Sequence, residues 1–295
     1  MRHNLPHISG GGSKCSVTEL TLTAERRDEL AELLGDDRRL RAEYPKVAEY
    51  LDMAERLSGS GDTRADSAFD LRFVHYVTGG ARVSSDPYWE IVGPSVSEHG
   101  GRRLVTGGQP EGSPRLAYAQ IILQAIYAYA VPSPETIRWI STFCDGRPVV
   151  ELGAGRGYWA RQLARVGMSV RAYDSAPPDQ LGNVSFPRSK GQVDVWHAVG
   201  GLTGYEALIS EIPAEFVLLL CWPPGWGSSM ASEALASFEA AGGRRLVFVG
   251  QTKGGQTGDD AFFDRLAAHW IVDSVDQNHV SWWNSIDVAQ AWVRS

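Results

Sequence analysis

The chain has 295 residues, 43% of them hydrophobic and 21% charged, and a formal net charge of −7. This is the balance of an ordinary soluble globular protein, long enough for one large domain or a catalytic domain with a smaller accessory one. The negative charge argues against a protein that grips nucleic acid over a broad phosphate surface, because such domains are usually basic.

The opening MRHNLPHISGGGSK is polar and rich in Gly and Ser, so residues 1–17 read as disordered, and it lacks the apolar stretch of a secretory signal. The three cysteines, Cys15, Cys144 and Cys221, show no C-x-x-C spacing. An odd count fits a reducing compartment, the cytoplasm, better than a disulfide framework. A helix is expected over 23–35, with Thr23 as its cap, Leu30, Leu33 and Leu34 on one stripe and Gly35 as its stop. A second helix is expected over 37–57. Residues 70–108 carry too many Gly and Pro breaks to assign. An apolar helix opens at Ser113–Pro114 and runs to Pro132. Its run over 116–131 is short for a membrane span and contains Gln120 and Gln124, so it reads as a buried helix. Ser133 caps a further helix over 134–144.

Beyond this point strands and helices alternate. Strands are expected at 148–152, 169–173, 193–197, 215–221, 244–250, 270–275 and 288–293. Helices are expected at 158–166, 228–241 and 259–269. Continuous apolar runs such as FVLLLC and LVFV suit a parallel sheet covered on both faces.

The most informative stretch is VVELGAGRGYW, residues 149–159. It follows a strand and opens a helix, and its three glycines let the backbone turn tightly and approach a ligand. The dinucleotide fingerprint G-x-G-x-x-G fails, because Tyr158 stands where its third glycine belongs. The spacing is G-x-G-x-G, preceded by the acid Glu151. Asp174, at the end of the next expected strand, is placed to accept both hydrogen bonds of a ribose diol.

These residues resemble motif I and the acidic second-strand motif of the class I methyltransferases that depend on S-adenosyl-L-methionine (SAM), and the resemblance covers roughly residues 134–295. It implies an α/β fold with a doubly wound, mostly parallel seven-stranded sheet whose last strand is antiparallel. It implies SAM as cofactor and S-adenosyl-L-homocysteine (SAH) as product. Glu151, Gly153, Ala154, Gly155 and Gly157 would then meet the methionine part and Asp174 and Ser175 the ribose. Trp196 and His197 would meet the adenine, and Cys221 would close the cofactor site. The organisation implied is a disordered 1–17, a mainly helical accessory or lid region over 18–132, and a cofactor domain over 133–295.

The acceptor is expected just after the 215–221 strand, where the sequence reads CWPPGW. This resembles the Asp/Asn-Pro-Pro-aromatic motif of amino-group methyltransferases, but Trp222 replaces the polar residue and Gly225 the aromatic one. Base methylation is therefore not carried over. The prolines can still present a carbonyl, and Trp222, Pro223, Trp226, Gln251 and Trp282 are the candidates for lining a flat or apolar acceptor. Methyl transfer is a direct displacement helped by alignment in a dry site, with a base where the acceptor is a hydroxyl or thiol. His197, His279 and Trp222 are the candidates for that chemistry, ahead of His75, Asp287 and Glu206. The seven histidines and the acids show no metal-ligand spacing, so no metal is expected. The reading is a methyltransferase of a small-molecule acceptor such as a secondary metabolite, without membrane partners. The alternatives are a tRNA, rRNA or peptide methyltransferase and a non-catalytic SAM-binding protein. The oligomeric state is left open, a homodimer being one option.

Overall fold

The computed structural model describes residues 20–178, 182–211 and 215–295; the segment expected to be disordered, 1–17, lies outside them. Three of the expected caps form. Thr23 accepts from the Arg26 N–H and opens α1 (Ala24–Gly35), Ser113 accepts from Leu116 and Ser133 from Thr136. Each such cap stabilises its helix by about 1 kcal/mol. The single helix expected over 37–57 is two, α2 (Asp37–Glu43) and α3 (Pro45–Ala54). Pro45 has no N–H to give and pushes Tyr44 out of helical geometry, which breaks the run.

The unassigned region holds α4 (Thr63–Val77), α5 (Pro87–Val92) and an antiparallel hairpin, β1 (Val96–His99) and β2 (Arg102–Val105). FVHYV is helical because it buries Phe73, Val74, Tyr76 and Val77 at the end of α4. The apolar helix, α6 (Pro114–Ile126), stops short of Pro132, and α7 (Pro134–Cys144) follows.

The remaining strands are β3 (Val149–Leu152), β4 (Val170–Tyr173), β5 (Val199–Gly200), β6 (Val217–Cys221), β7 (Arg245–Gly250), β8 (Trp270–Val275), β9 (Val280–Trp282) and β10 (Val288–Arg294). The helices among them are α8 (Tyr158–Arg165), α9 (Leu202–Glu211), α10 (Met230–Ala240) and α11 (Asp260–His269). Seven strands form one sheet in the order β5-β4-β3-β6-β7-β10-β8. Its pairs are parallel except those of β10, which runs antiparallel to both β7 and β8. This is the doubly wound α/β sheet with an antiparallel last strand expected from the sequence.

One correction moves the site. The third strand of the sheet is Val199–Gly200, not 193–197. Residues 193–197 are instead pinned as a loop: Arg156 donates to the carbonyls of Val193 and Asp194, and Trp196 N–H donates to the Arg156 carbonyl.

Alternate strand residues face opposite layers, as the period of two requires. Val149, Val217, Leu219, Val247 and Val249 join a buried core shared with α1–α8, whereas Val150, Leu152, Leu218 and Leu220 pack on α9, α10 and α11. The N-terminal helices and one face of the sheet are thus one core. A second link is the parallel pairing of β2 with β9, which joins the hairpin to the last third of the chain. Among the described residues no helix is long and apolar enough to cross a membrane.

Candidate active site

The ends of β3, β4 and β6 open onto a cavity of about 1160 Å³. That exceeds the ~300–1,000 Å³ of a typical single-ligand site, so it has room for more than one small molecule. Glu151, Gly153, Ala154, Asp174, Ser175 and Cys221 all line it. Gly155 and Gly157 stand behind this wall and shape it. Gly157 has φ 73°, and a side-chain carbon there would come within 2.8 Å of the His197 carbonyl oxygen. That backbone atom has nowhere to go, so only glycine fits. Gly155 N–H donates to Asp174 Oδ2 at 2.9 Å and Ala176 N–H to Oδ1 at 2.9 Å, so the glycine loop and the end of β4 hold the carboxylate in place.

Glu151 is the electrostatic centre of this end. It is 2% exposed, and its Oε2 is buried without a hydrogen-bond partner. Burial, and then the nearby charge of Asp174, push its pKa up to about 8. A buried carboxyl on a cavity wall with one oxygen unmatched suits a cation, since an ammonium would satisfy Oε2 and favour the ionised form. Burial also raises Cys221 well above the usual thiol range, so it stays a thiol.

Aromatic rings build the opposite end. Trp222 has φ 52°, a left-handed conformation rarely adopted by a bulky residue, and its N–H still donates to the Val249 carbonyl at 2.7 Å. Such strain costs on the order of 1–3 kcal/mol and concentrates at functional sites. The Trp222 ring stacks on Tyr129, with centroids 5.3 Å apart and planes at 14°, and Phe186 stands edge-on to Tyr129 at 5.8 Å. Trp226 lies at the rim, 81% exposed. The Trp222 Nε1–H and Asp287 Oδ2 are buried without an aligned partner, although Trp222 lies close enough to offset part of the burial that raises the Asp287 pKa. The floor joins two loops: Gly258 N–H donates to the Pro223 carbonyl and Gly225 N–H to that of Gln256. The Pro223 carbonyl is therefore already engaged, and Pro224 is the proline that lines the cavity.

Several sequence candidates lie elsewhere. Trp196 is buried, donates its ring N–H to the Ile126 carbonyl at 2.9 Å and stacks on Tyr127, so it is packed away from the cavity. His197 sits behind Gly157. Both were placed by the strand expected at 193–197, and the true strand end is followed by Gly201 and Leu202. His279 is buried under α7, with Thr136 Oγ1 3.5 Å from its Nδ1; burial and Arg102 lower its pKa to about 3, so it is a neutral ring. Trp282 is 1% exposed and donates to the Tyr88 hydroxyl. Gln251 acts from behind, accepting from the Gln256 N–H, and Gln256 reaches the cavity.

The structure also adds lining residues that the sequence did not single out, among them Tyr129, Phe186, Leu202, Tyr205 and Met230. They come from separate segments with no local motif; a Tyr or Met on a helix carries no mark of its role. Arg156, inside the glycine motif, was overlooked as well. It is fully buried and donates all five of its N–H groups to backbone carbonyls: Ala125, Val193, Asp194, Phe186 and Pro187. It thereby fixes the 186–194 segment against the glycine loop. Among the described residues no group of three or more His, Cys, Asp or Glu is placed to hold a metal ion.

No protein-family model matches the chain, and no curated protein sequence does. The similar solved structures include magnesium protoporphyrin IX methyltransferase from Synechocystis PCC 6803 with bound SAM. It is 12% identical, with a TM-score of 0.30, over 81% of this chain and 100% of that one. The same enzyme with bound SAH overlaps 77% of this chain and 99% of its own, at 12% identity and a TM-score of 0.31. A mutant of MtNAS is 13% identical, with a TM-score of 0.35, over 93% of this chain and 99% of that one. These overlaps are loose, and the fold class rests on the strand order and directions given above.

Proposed function

We propose that the chain is a SAM-dependent methyltransferase acting on a small-molecule acceptor. One observation carries the reading. A buried carboxyl with one oxygen unmatched, the glycine loop at Gly153 and Ala154, and a carboxylate fixed at the tip of the neighbouring strand face one cavity. These residues fit SAM: Glu151 suits its ammonium, the loop its methionine chain, and Asp174 its ribose diol. Leu202, Tyr205 and Met230, at the start of α9 and α10, take the adenine position in place of Trp196 and His197. When bound, SAM supplies an electrophilic methyl group on a sulfonium.

The protein's own part is alignment and exclusion of water. Trp222, Tyr129 and Phe186 make the dry wall beside that methyl group. A small acceptor is favoured over tRNA, rRNA or a peptide because the lining contains no Lys, Arg or His among the described residues. A non-catalytic role is disfavoured by the room left beside the cofactor.

Isothermal titration with SAM and SAH, on the wild type and on Asp174→Ala, tests the reading. Micromolar binding that weakens in the variant supports it. A folded wild type that binds neither would sink it.

A further inference from the structure

Trp222 stands on the cavity wall in a backbone conformation that a bulky residue rarely takes. Such a residue keeps its place only where its surroundings hold it there. The bond from its N–H to the Val249 carbonyl fixes the main chain but leaves the ring free to turn about its side-chain bonds. Stacking on Tyr129 covers one face of the ring and does not engage the indole N–H.

Asp287 is the group in reach. It directly precedes β10 and is 4% exposed. Its Oδ1 accepts from Ser285 Oγ, whereas its Oδ2 is buried without a partner, as is Trp222 Nε1. A buried N–H and a buried carboxylate oxygen are each costly to leave unmatched, and here one is a donor and the other an acceptor. Burial pushes the Asp287 pKa up, and Ser285, then Trp222 and Arg102, pull it back.

The carboxylate is itself held in place. Ser285 Oγ accepts from Gln251 Nε2 at 3.0 Å, and Gln251 Oε1 accepts from the Gln256 N–H at 2.8 Å. The Gln256 carbonyl takes the Gly225 N–H, and Arg102 donates to the Ser285 carbonyl at 3.1 Å. This network meets the CWPPGW loop twice, at Gly225 through Gln256 and at Trp222 through Asp287. Asp287, Ser285 and Gln251 all stand behind the cavity lining, so they act on the wall and not on a ligand.

We propose that Asp287 is a positioning residue, whose Oδ2 accepts the Trp222 indole N–H and holds that ring against Tyr129. That the wall so formed faces the methyl acceptor rests on the methyltransferase reading above; the hydrogen bond does not. Asp287 touches no reacting atom and acts through Trp222.

Nitrogen-15 labelling of the tryptophan indoles tests this in the full chain. The N–H signal lost in Trp222→Phe belongs to Trp222, and the one lost in Trp226→Phe belongs to Trp226, whose exposed ring is the internal reference for an indole bonded to water. The wild-type Trp222 signal is expected downfield of that reference. Asp287→Leu fills the same space without an acceptor, so the signal should move upfield and exchange with solvent about tenfold faster. Asp287→Asn keeps an acceptor oxygen and should restore both toward the wild type, which a space-filling role would not require. A wild-type Trp222 signal at the Trp226 position overturns the proposal even if a variant fails to fold. So does a signal unchanged in folded Asp287→Leu, or Asp287→Asn behaving as Asp287→Leu does. SAH is titrated separately into the wild type; failure to bind there strikes the cofactor reading and leaves the indole result standing.

Discussion

The two ends of the cavity are built in opposite ways. The cofactor end comes from one strand-turn-helix and the tip of the next strand, and its conformation follows from local rules. Glycines take the left-handed positions, and an acid stands at each strand end. The acceptor end is assembled from Tyr129 after α6, Phe186 in a loop, Trp222 after β6 and Gln256 after β7. Only Trp222, in CWPPGW, carries a local mark; nothing local marks the other three. Specificity can therefore change at the second end without disturbing the first, where the chemistry common to any acceptor resides.

Arg156 is the strongest test of that separation, because it ties the two ends together. Arg156→Met removes the buried guanidinium and leaves five carbonyls without their donor. It should cost about 4 kcal/mol in urea denaturation, within the range for stripping a buried charged group from its partners. A loss under about 1 kcal/mol would mean that the 186–194 segment is held by something else. Next in size, Asp174→Ala should weaken SAH binding roughly 50-fold, as expected for losing charge-assisted hydrogen bonds of about 2–3 kcal/mol. Trp222→Ala should leave SAH affinity within about threefold, so that the pair of variants resolves the two ends.

Glu151 sharpens the comparison through pH. Its pKa in the folded chain is raised from 4.5 to about 8, so the folded protein holds a proton that the unfolded chain gives up earlier. The stability linked to it is present below pH 4.5 and is lost as pH rises toward 8. A bound ammonium reverses the preference and releases the proton. SAM affinity should therefore climb up to roughly tenfold per pH unit between about 6 and 8, and flatten in Glu151→Gln. Titrations in buffers of different ionisation enthalpy count the proton directly. The smallest effect is expected at His197. His197→Ala should change SAH affinity less than about twofold, because the side chain lies behind the glycine loop; a tenfold loss would restore its adenine role.

The sequence made the sheet, the caps of α1, α6 and α7 and the glycine turn between β3 and α8 legible, because each follows from spacing over a few residues. It misplaced the strand before α9, and with it Trp196 and His197. The apolar pattern of 193–197 arises because Trp196 packs among Tyr127 and Tyr158, not because the segment is a strand. The break at Pro45 was present in the sequence and went unused. Tyr129, Phe186 and Tyr205 were beyond reach, since only the tertiary fold brings them to one cavity.

The parallel pairing of β2 with β9 bears on how the chain is made. Arg103, Leu104 and Val105 find their partners in Val280, Ser281 and Trp282, more than half the chain later. During synthesis the hairpin must wait with one edge open until Val280–Trp282 leave the ribosome. A contact that closes so late is slow to form and exposed to mispairing in the meantime. Truncation of the last fifteen or so residues should therefore harm the N-terminal helices as well as the sheet, despite their distance in sequence.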